Sequence, residues 1–429
     1  MSVFVSKVKS VRGKVAVPGD KSVTHRAIMI ASLSKGDTVI HHFLRCNDTI
    51  STISCFQEMG ISIEDLGNNE ILVHGKGLYG LSEPGSVLNV GNSGTTTRLL
   101  AGILSAQSFA SEIRGDDSLN KRPMDRVINP LTLMGASISS KMNNNSTPLI
   151  IEGRSLSGII YKSPIASAQV KSSIMLAGLY ADGPTTVIEP YISRNHTERI
   201  LRHFGATVET NGTKVTVYPR PHLTANDISV PGDLSSAAFL MTAALILPDS
   251  ELYLEHVGIN ETRLGFITAV QQMGGNITLH NAKDGIEPCA DILVKSSKLH
   301  GITIEKDQIP PTIDELPILT VLSCFAEGQT VIKDAKELHF KESDRIDALV
   351  ENLSRMGADI TATEDGMIIN GGRPLHGAIV GSRLDHRIAM SLAIAGACAE
   401  GKTEIIGSEC VRVSYPNFYN DLAAISINQ

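Results

Sequence analysis

A 429-residue chain with a net charge of −7, no tryptophan and only 4% aromatic residues is too long for one ordinary core. It points to two domains whose interiors are built from Ala, Ile, Leu, Met and Val. The acidic balance argues against a nucleic-acid or anionic-membrane surface, while leaving room for a local basic pocket.

The chain opens with MSVFVSKVKSVRGKVAV. Its alternation of apolar and polar residues predicts a strand, and it lacks the apolar stretch of a signal peptide. At Val17 the sequence reads VPGDKSVTHR, and at Val230 it reads VPGDLSSAAF. Each opens one of six copies of a single unit: a polar head, a helix rich in small apolar residues, a Gly-containing turn and a β-branched strand. In order the copies are DKSVTHRAIMIASLSKGDTVI, NSGTTTRLLAGILSAQSFASEI, SAQVKSSIMLAGLYADGPTTVI, DLSSAAFLMTAALILPDSELYL, DELPILTVLSCFAEGQTVI and DHRIAMSLAIAGACAEGKTEII, with heads at 20, 92, 167, 233, 314 and 385. A second signature interleaves with the first: Met59-Gly60, Met134-Gly135, Phe204-Gly205, Met273-Gly274 and Met356-Gly357. Each is predicted to close an amphipathic helix with a left-handed glycine. The longest apolar run, AAFLMTAALIL, is too short to span a bilayer. The six cysteines, at 46, 55, 289, 324, 398 and 410, form no C-x-x-C pair and no metal-ligand spacing. They read as reduced, buried thiols of a cytosolic protein.

Six copies split three and three predict an α/β protein of two similar halves. With the N-terminal strand in the second half, the chain crosses near residues 18–19 and 230–232, where Pro18, Gly19, Pro231 and Gly232 suit hinge strands. One domain then holds residues 18–229, and the other holds 1–17 with 230–429. Every head begins with Asp, Asn or Ser, the preferred N-cap types. Helices pointing one way would bring their unpaired N–H groups to one surface of each half, and such a surface suits anions.

The heads differ in charge. The first carries Lys21, Ser22 and Arg26, the second Asn92, Gly94 and Arg98, and the third Ser167, Gln169 and Lys171. Lys121, Arg122 and Arg126 lie between the second and third. The fourth has no charge beyond Asp233 and reads as a copy that kept only its packing role. The fifth has Asp314-Glu315, followed by Lys341, Glu342, Asp344 and Arg345; the sixth has Asp385, His386 and Arg387. Together these offer cations able to grip phosphate or carboxylate, with Asp314, Glu342 and His386 for proton transfer. A single Lys or Arg at a helix start is commonly just a solvated charge, but the same position charged in head after head makes that a poor account of the set. Lys171 and Arg98, deeper in their helices, read as structural. GKGLYG at 75–80 matches a dinucleotide fingerprint in letters only, because no helix and no acidic residue about 20 positions on follow it. His41-His42 reads as a strand end, and no P-loop or nucleophile elbow occurs.

Six motifs in one order, PGDKSVTHR, GNSGTTTRL, KRPMDRV, SAQVKS, KESDRI and DHRIAM, resemble the 5-enolpyruvylshikimate-3-phosphate synthase family over essentially the whole chain. The resemblance implies the enolpyruvyl transferase fold, two globular domains of three βαβαββ units each. It also implies transfer of the carboxyvinyl group of phosphoenolpyruvate to the 5-hydroxyl of shikimate 3-phosphate, on the way to chorismate and the aromatic amino acids. By the same resemblance Lys21, Ser22, Arg26, Ser167, Gln169, Arg194, Asp314 and Lys341 hold shikimate 3-phosphate, and Lys21, Gly94, Arg122, Gln169, Arg345 and Arg387 hold phosphoenolpyruvate. Asp314 is the expected base and Glu342 the expected proton donor, with Lys21 and His386 also in the catalytic set. No cofactor, metal, nucleic acid or membrane is implied, and the chain is expected to be a cytoplasmic monomer acting on small anionic substrates. One departure is CVRVSYPNF, where Val413, beside Arg412, stands where some members carry a lysine. The rival enzyme reading, a transferase acting on UDP-N-acetylglucosamine, lacks here its loop cysteine before Arg122-Pro123 and has Ser22 where it carries Asn. A non-catalytic anion-binding scaffold would not need Asp314 and Glu342 beside the cations.

Overall fold

Each polar head does start a helix, and each of those helices is buried nearly all round, as small apolar sequences require. The computed structural model describes residues 1–428. It divides into two compact units, Gly19–Val230 and a discontinuous one made of Met1–Pro18 and the chain from Pro231 onward.

In the unit Gly19–Val230 the helices are α1 (Lys21–Ser32), α2 (Asn47–Glu58), α3 (Gly94–Leu104), α4 (Asp125–Leu133), α5 (Ala168–Gly178) and α6 (His196–His203). Helices α1, α3 and α5 are buried along almost their whole length, whereas α2, α4 and α6 keep exposed faces. The small residues have a steric purpose at Gly102, where a Cβ would lie 2.2 Å from the Ser173 carbonyl oxygen. There the backbones of α3 and α5 approach more closely than any side chain permits.

The sheets repeat one pattern, a parallel pair followed by an antiparallel hairpin. Leu88–Gly91 runs parallel to Ala110–Gly115, which pairs antiparallel with Leu149–Glu152, itself antiparallel to Ser137–Ser140. Ile160–Lys162, Thr185–Ile188, Lys214–Val217 and Val208–Asn211 repeat this order. The first repeat takes its leading strand from the far end of the unit, Ile228–Ser229, parallel to Lys35–His41.

The other unit holds α7 (Leu234–Ile246), α8 (Gly265–Gln272), α9 (Leu316–Cys324), α10 (Arg345–Arg355), α11 (His386–Cys398) and α12 (Phe418–Ile425). Its leading strand is N-terminal: Ser10–Ala16 runs parallel to Glu251–Gly258. Thr303–Ile304, Gln329–Ile332, Gly366–Asn370 and Asp359–Thr363 form the next sheet in the same order. In the last repeat Ile379–Gly381 is parallel to Lys402–Ile406, and Ser2–Ser6 closes the far side. The chain is thus an α/β protein of βαβαββ repeats.

The interleaved Met-Gly and Phe-Gly pairs end α2, α4, α6, α8 and α10. Gly60, Gly135, Gly205, Gly274 and Gly357 have φ between +86° and +98°, a region where a side chain is strained. The six cysteines are buried and free. No helix among the described residues is long and apolar enough to cross a membrane.

Candidate active site

Within the unit Gly19–Val230, helix N-termini carry the predicted cations. Asp20 caps α1 by accepting from the Val23 amide at 2.9 Å, which fixes Lys21 as the first helical residue. Lys21 Nζ lies 3.0 Å from Asp48 Oδ2, at the start of α2. Ser22 follows, half-buried, its carbonyl accepting from Arg26 Nη1 at 3.0 Å. Arg26 is 3% exposed and donates to Thr197 Oγ1 at 2.7 Å and Ser172 Oγ at 2.9 Å. Next to it His25 is buried and bonds Thr52 Oγ1 at 2.7 Å, and Thr52 reaches Thr96 Oγ1 at 2.7 Å. Burial, with Lys21 and Arg26 beside it, pushes the His25 pKa well down, so this imidazole is a neutral linker between α1, α2 and α3.

Ser93 caps α3 through the Thr96 amide at 3.1 Å, placing Gly94 at the first helical position. A Cβ on Gly94 would stand 2.6 Å from Arg98 Nη1 and 3.5 Å from Arg122 Nη1. Arg98 donates to Gln169 Oε1 at 2.7 Å, and Gln169 Nε2 donates to Thr95 Oγ1 at 3.0 Å. The N-terminal turns of α3 and α5 are thereby tied together. Arg122, only 7% exposed, donates to Asn92 Oδ1, and Asn92 Nδ2 binds both oxygens of Asp116 at 2.8 and 2.9 Å. Ser167 is the N-cap of α5, and Arg194 stands half-buried in the loop entering α6. The three buried helices of this unit therefore carry Arg26, Gly94, Ser167 and Gln169 at or near their N-terminal ends, and Asn92, just before α3, holds Arg122. Lys121 and Arg126 stay at the surface or half-buried.

In the other unit a second cluster forms around Asp314. Its Oδ1 lies 3.7 Å from Lys341 Nζ and 3.6 Å from Arg345 Nη1, and its Oδ2 lies 3.7 Å from Arg387 Nη2. Arg387 Nη1 also donates to the Asp314 carbonyl at 2.8 Å. Arg345 is 1% exposed, and donates to Glu342 Oε2 at 2.6 Å and to Asp385 Oδ2 at 2.8 Å. Burial alone would lower the Arg345 pKa, but Asp385, Glu342 and Asp314 together raise it, so the guanidinium stays charged. The Lys341 amine is shifted the other way, held below the ordinary lysine range by burial and by Arg345, against the opposing pull of Asp314. His386, buried, is the first residue of α11, next to its N-cap Asp385. Three cations and three carboxylates, Asp314, Glu342 and Asp385, thus form one cluster, able to bind an oxyanion and move a proton.

Two readings from sequence need correction. The second and fifth heads do not begin with their caps: Ser93, not Asn92, caps α3, and the N-cap of α9 is Glu315, with no side-chain cap bond, while Asp314 one residue earlier turns to the cations. The fourth head is also more than packing. Asp233 caps α7 through the Ser235 amide at 3.0 Å and lies 3.3 Å from Arg263 Nη2. Arg263, 3% exposed, also donates to Ser235 Oγ at 2.6 Å and sits 3.5 Å from Glu315. Sequence reasoning missed Arg263, Asp48 and the pairing role of Asp385. Asp385 was legible only as a helix cap. Arg263 lies in NETRLG, outside every repeat head, where nothing marks it. Arg412 is exposed and Val413 half-buried in a 3₁₀ turn, Ser408–Val413.

Comparison with known proteins adds an independent finding. Residues 5–422 match the family model described as EPSP synthase (3-phosphoshikimate 1-carboxyvinyltransferase). A curated 3-phosphoshikimate 1-carboxyvinyltransferase from Thermoanaerobacter sp. (strain X514) is 53% identical over 420 residues, covering 98% of this chain and 99% of that protein. One of the same name from Pelotomaculum thermopropionicum is 49% identical over 429 residues, all of both chains. A solved EPSP synthase structure from Acinetobacter baumannii superposes with a TM-score of 0.88 at 46% identity, over 100% of this chain and 98% of that one.

Proposed function

The chain belongs to the EPSP synthase family, and from that membership we infer that it transfers the carboxyvinyl group of phosphoenolpyruvate to the 5-hydroxyl of shikimate 3-phosphate, releasing phosphate. The structural observation that supports this reading best is Asp314 facing Lys341, Arg345 and Arg387, with Glu342 on the same Arg345. A reaction that joins two anions and needs both a base and an acid calls for that set.

Lys21, Ser22, Arg26, Ser167, Gln169, Arg194 and Lys341 hold shikimate 3-phosphate, while Lys21, Gly94, Arg122, Gln169, Arg345 and Arg387 hold phosphoenolpyruvate. Asp314 takes the proton of the 5-hydroxyl as its oxygen bonds to C2, and Glu342 protonates C3. The resulting tetrahedral adduct then loses phosphate from C2 and a proton from the methyl carbon, restoring the vinyl group. Arg345 links the ligand to the acid: its guanidinium holds Glu342 at 2.6 Å and lies 3.6 Å from Asp314. Lys341, 3.7 Å from Asp314, stabilises the charge developing beside it, and His386 supports the same edge from α11. The two units close on the ligands to exclude water, turning at residues 18–19 and 230–232. The enzyme works as a cytoplasmic monomer on small anionic substrates, without nucleic acid or membrane partners. Glyphosate competes with phosphoenolpyruvate.

The test is phosphate release from phosphoenolpyruvate with each acceptor in turn. Release with shikimate 3-phosphate and none with UDP-N-acetylglucosamine is expected. The reverse pattern, or no release with either acceptor, would overturn the reading.

A further inference from the structure

Below the α5 N-terminus lies a buried ionic cluster that none of the roles above uses. Lys171 Nζ is 2.9 Å from Glu189 Oε2 and 2.8 Å from Glu198 Oε1, and the three side chains are 2%, 2% and 1% exposed. Lys171 also donates to the Ser193 carbonyl at 3.3 Å. Burial pulls the lysine pKa down, but Glu198 and Glu189 outweigh it and raise it, so the ammonium persists.

Glu189 reaches two segments at once. Its Oε1 accepts from the Ser167 backbone N–H at 2.9 Å, and its Oε2 accepts from Ser193 Oγ at 2.8 Å. Ser167 and Arg194, the residue after Ser193, are two of the groups assigned to shikimate 3-phosphate. A third, Arg26, joins the same frame one step away, since Thr197 and Ser172 bond each other at 2.6 Å and both accept from Arg26. Ser172 follows Lys171 on α5, and Thr197 precedes Glu198 on α6. Two cations, Arg26 and Lys171, and two carboxylates, Glu189 and Glu198, balance inside one buried network.

Stability alone is a weak reason to keep such a cluster, because apolar residues of similar volume commonly serve as well or better. Fixing the geometry of two loops is a stronger one, since a buried carboxylate bonded to both segments at once permits few alternative arrangements of them. The Ser167 Oγ accepts from the Val170 amide at only 3.5 Å, a slack bond that leaves the hydroxyl able to turn to a ligand. The position of that segment comes instead from Glu189.

We propose that Glu189, held by Lys171, is a positioning residue for the acceptor's phosphate, setting Ser167 and Arg194 at one fixed spacing. This rests on the assignment of shikimate 3-phosphate above. Glu189→Gln keeps the shape of the side chain but removes its charge from Lys171 and turns one acceptor into a donor facing the donors it served. The expected result is a KM for shikimate 3-phosphate raised by about tenfold or more, matched by weaker binary binding of shikimate 3-phosphate in calorimetry. The KM for phosphoenolpyruvate at saturating acceptor should stay within about twofold. Glu189→Asp, which keeps the charge, should recover part of the loss. Lys171→Met with Glu198→Gln removes one charge of each sign, so the fold is less at risk than with Lys171→Met alone, and it should show the same one-sided KM increase.

An active wild type whose Glu189→Gln variant keeps its acceptor KM would overturn the positioning role alone. A proportional fall in every constant, with a lowered melting temperature, would also overturn it and mark the cluster as general support. A wild type inactive with shikimate 3-phosphate would remove the functional reading, and the positioning role with it.

Discussion

Lys21 and Arg122 are held by different partners, Lys21 by Asp48 and Arg122 by Asn92, so neither is a loose surface charge. Replacing either by Ala removes one charge-assisted contact to a polyanion, worth about 1.5–3 kcal/mol. Activity should fall tenfold or more while the melting temperature stays nearly unchanged. Lys21→Ala should lower kcat as well as raise KM, and wild-type turnover at saturation would count against its place in the catalytic set. Gly94 offers a sharper probe. An added methyl there presses on Arg98 Nη1 at 2.6 Å, a flexible side-chain end that can give way, so the substrate should still bind. Glyphosate, longer than phosphoenolpyruvate, should not be accommodated as easily. Gly94→Ala is therefore expected to raise the glyphosate inhibition constant far more than the KM for phosphoenolpyruvate. Equal increases would make Gly94 a general packing position.

Among the elements, the paired VPGD heads show how much local sequence conveys. Asp20 and Asp233 were both legible as caps, because capping depends on a side chain and an amide two or three residues on. The Met-Gly and Phe-Gly helix ends were legible for the same reason. Long-range pairings were not: Asp233 meets Arg263 and Ser235 meets Glu315, partners brought together only by stacking of repeats. Lys171 was readable as structural from its depth in a helix, but Glu189 and Glu198 follow it with no period that would mark them. The two heads should accordingly respond differently to one substitution. Asp20→Ala should cost about 1 kcal/mol for the lost cap. Asp233→Ala also removes a carboxylate 3.3 Å from the buried Arg263 guanidinium and should cost more than the cap alone. Urea unfolding of both variants checks this, and equal losses would show that Arg263 draws its stability from elsewhere.

For the molecule as a whole, the six repeats were legible in the sequence because each must bury the same helix between similar strands. Where catalysis sits was less legible, since the motif residues divide between two units, Lys21 to Arg194 in one and Asp314 to Arg387 in the other. The proposed closure is tested by scattering. Shikimate 3-phosphate should reduce the radius of gyration in solution scattering, and shikimate without phosphate should not, because the closing force comes from phosphate on cations. Identical curves would contradict closure at residues 18–19 and 230–232.

The chemistry itself has a direct signature, because protonation at C3 makes a methyl group whose three hydrogens become nearly equivalent before one is lost. The measurement is the deuterium content of the product's vinyl carbon after turnover in deuterated water. Deuterium at that carbon is predicted for the wild type, with Glu342→Gln forming product far more slowly. Product formed at the wild-type rate with only hydrogen at the vinyl carbon would contradict addition and elimination, and with it the roles given to Asp314 and Glu342.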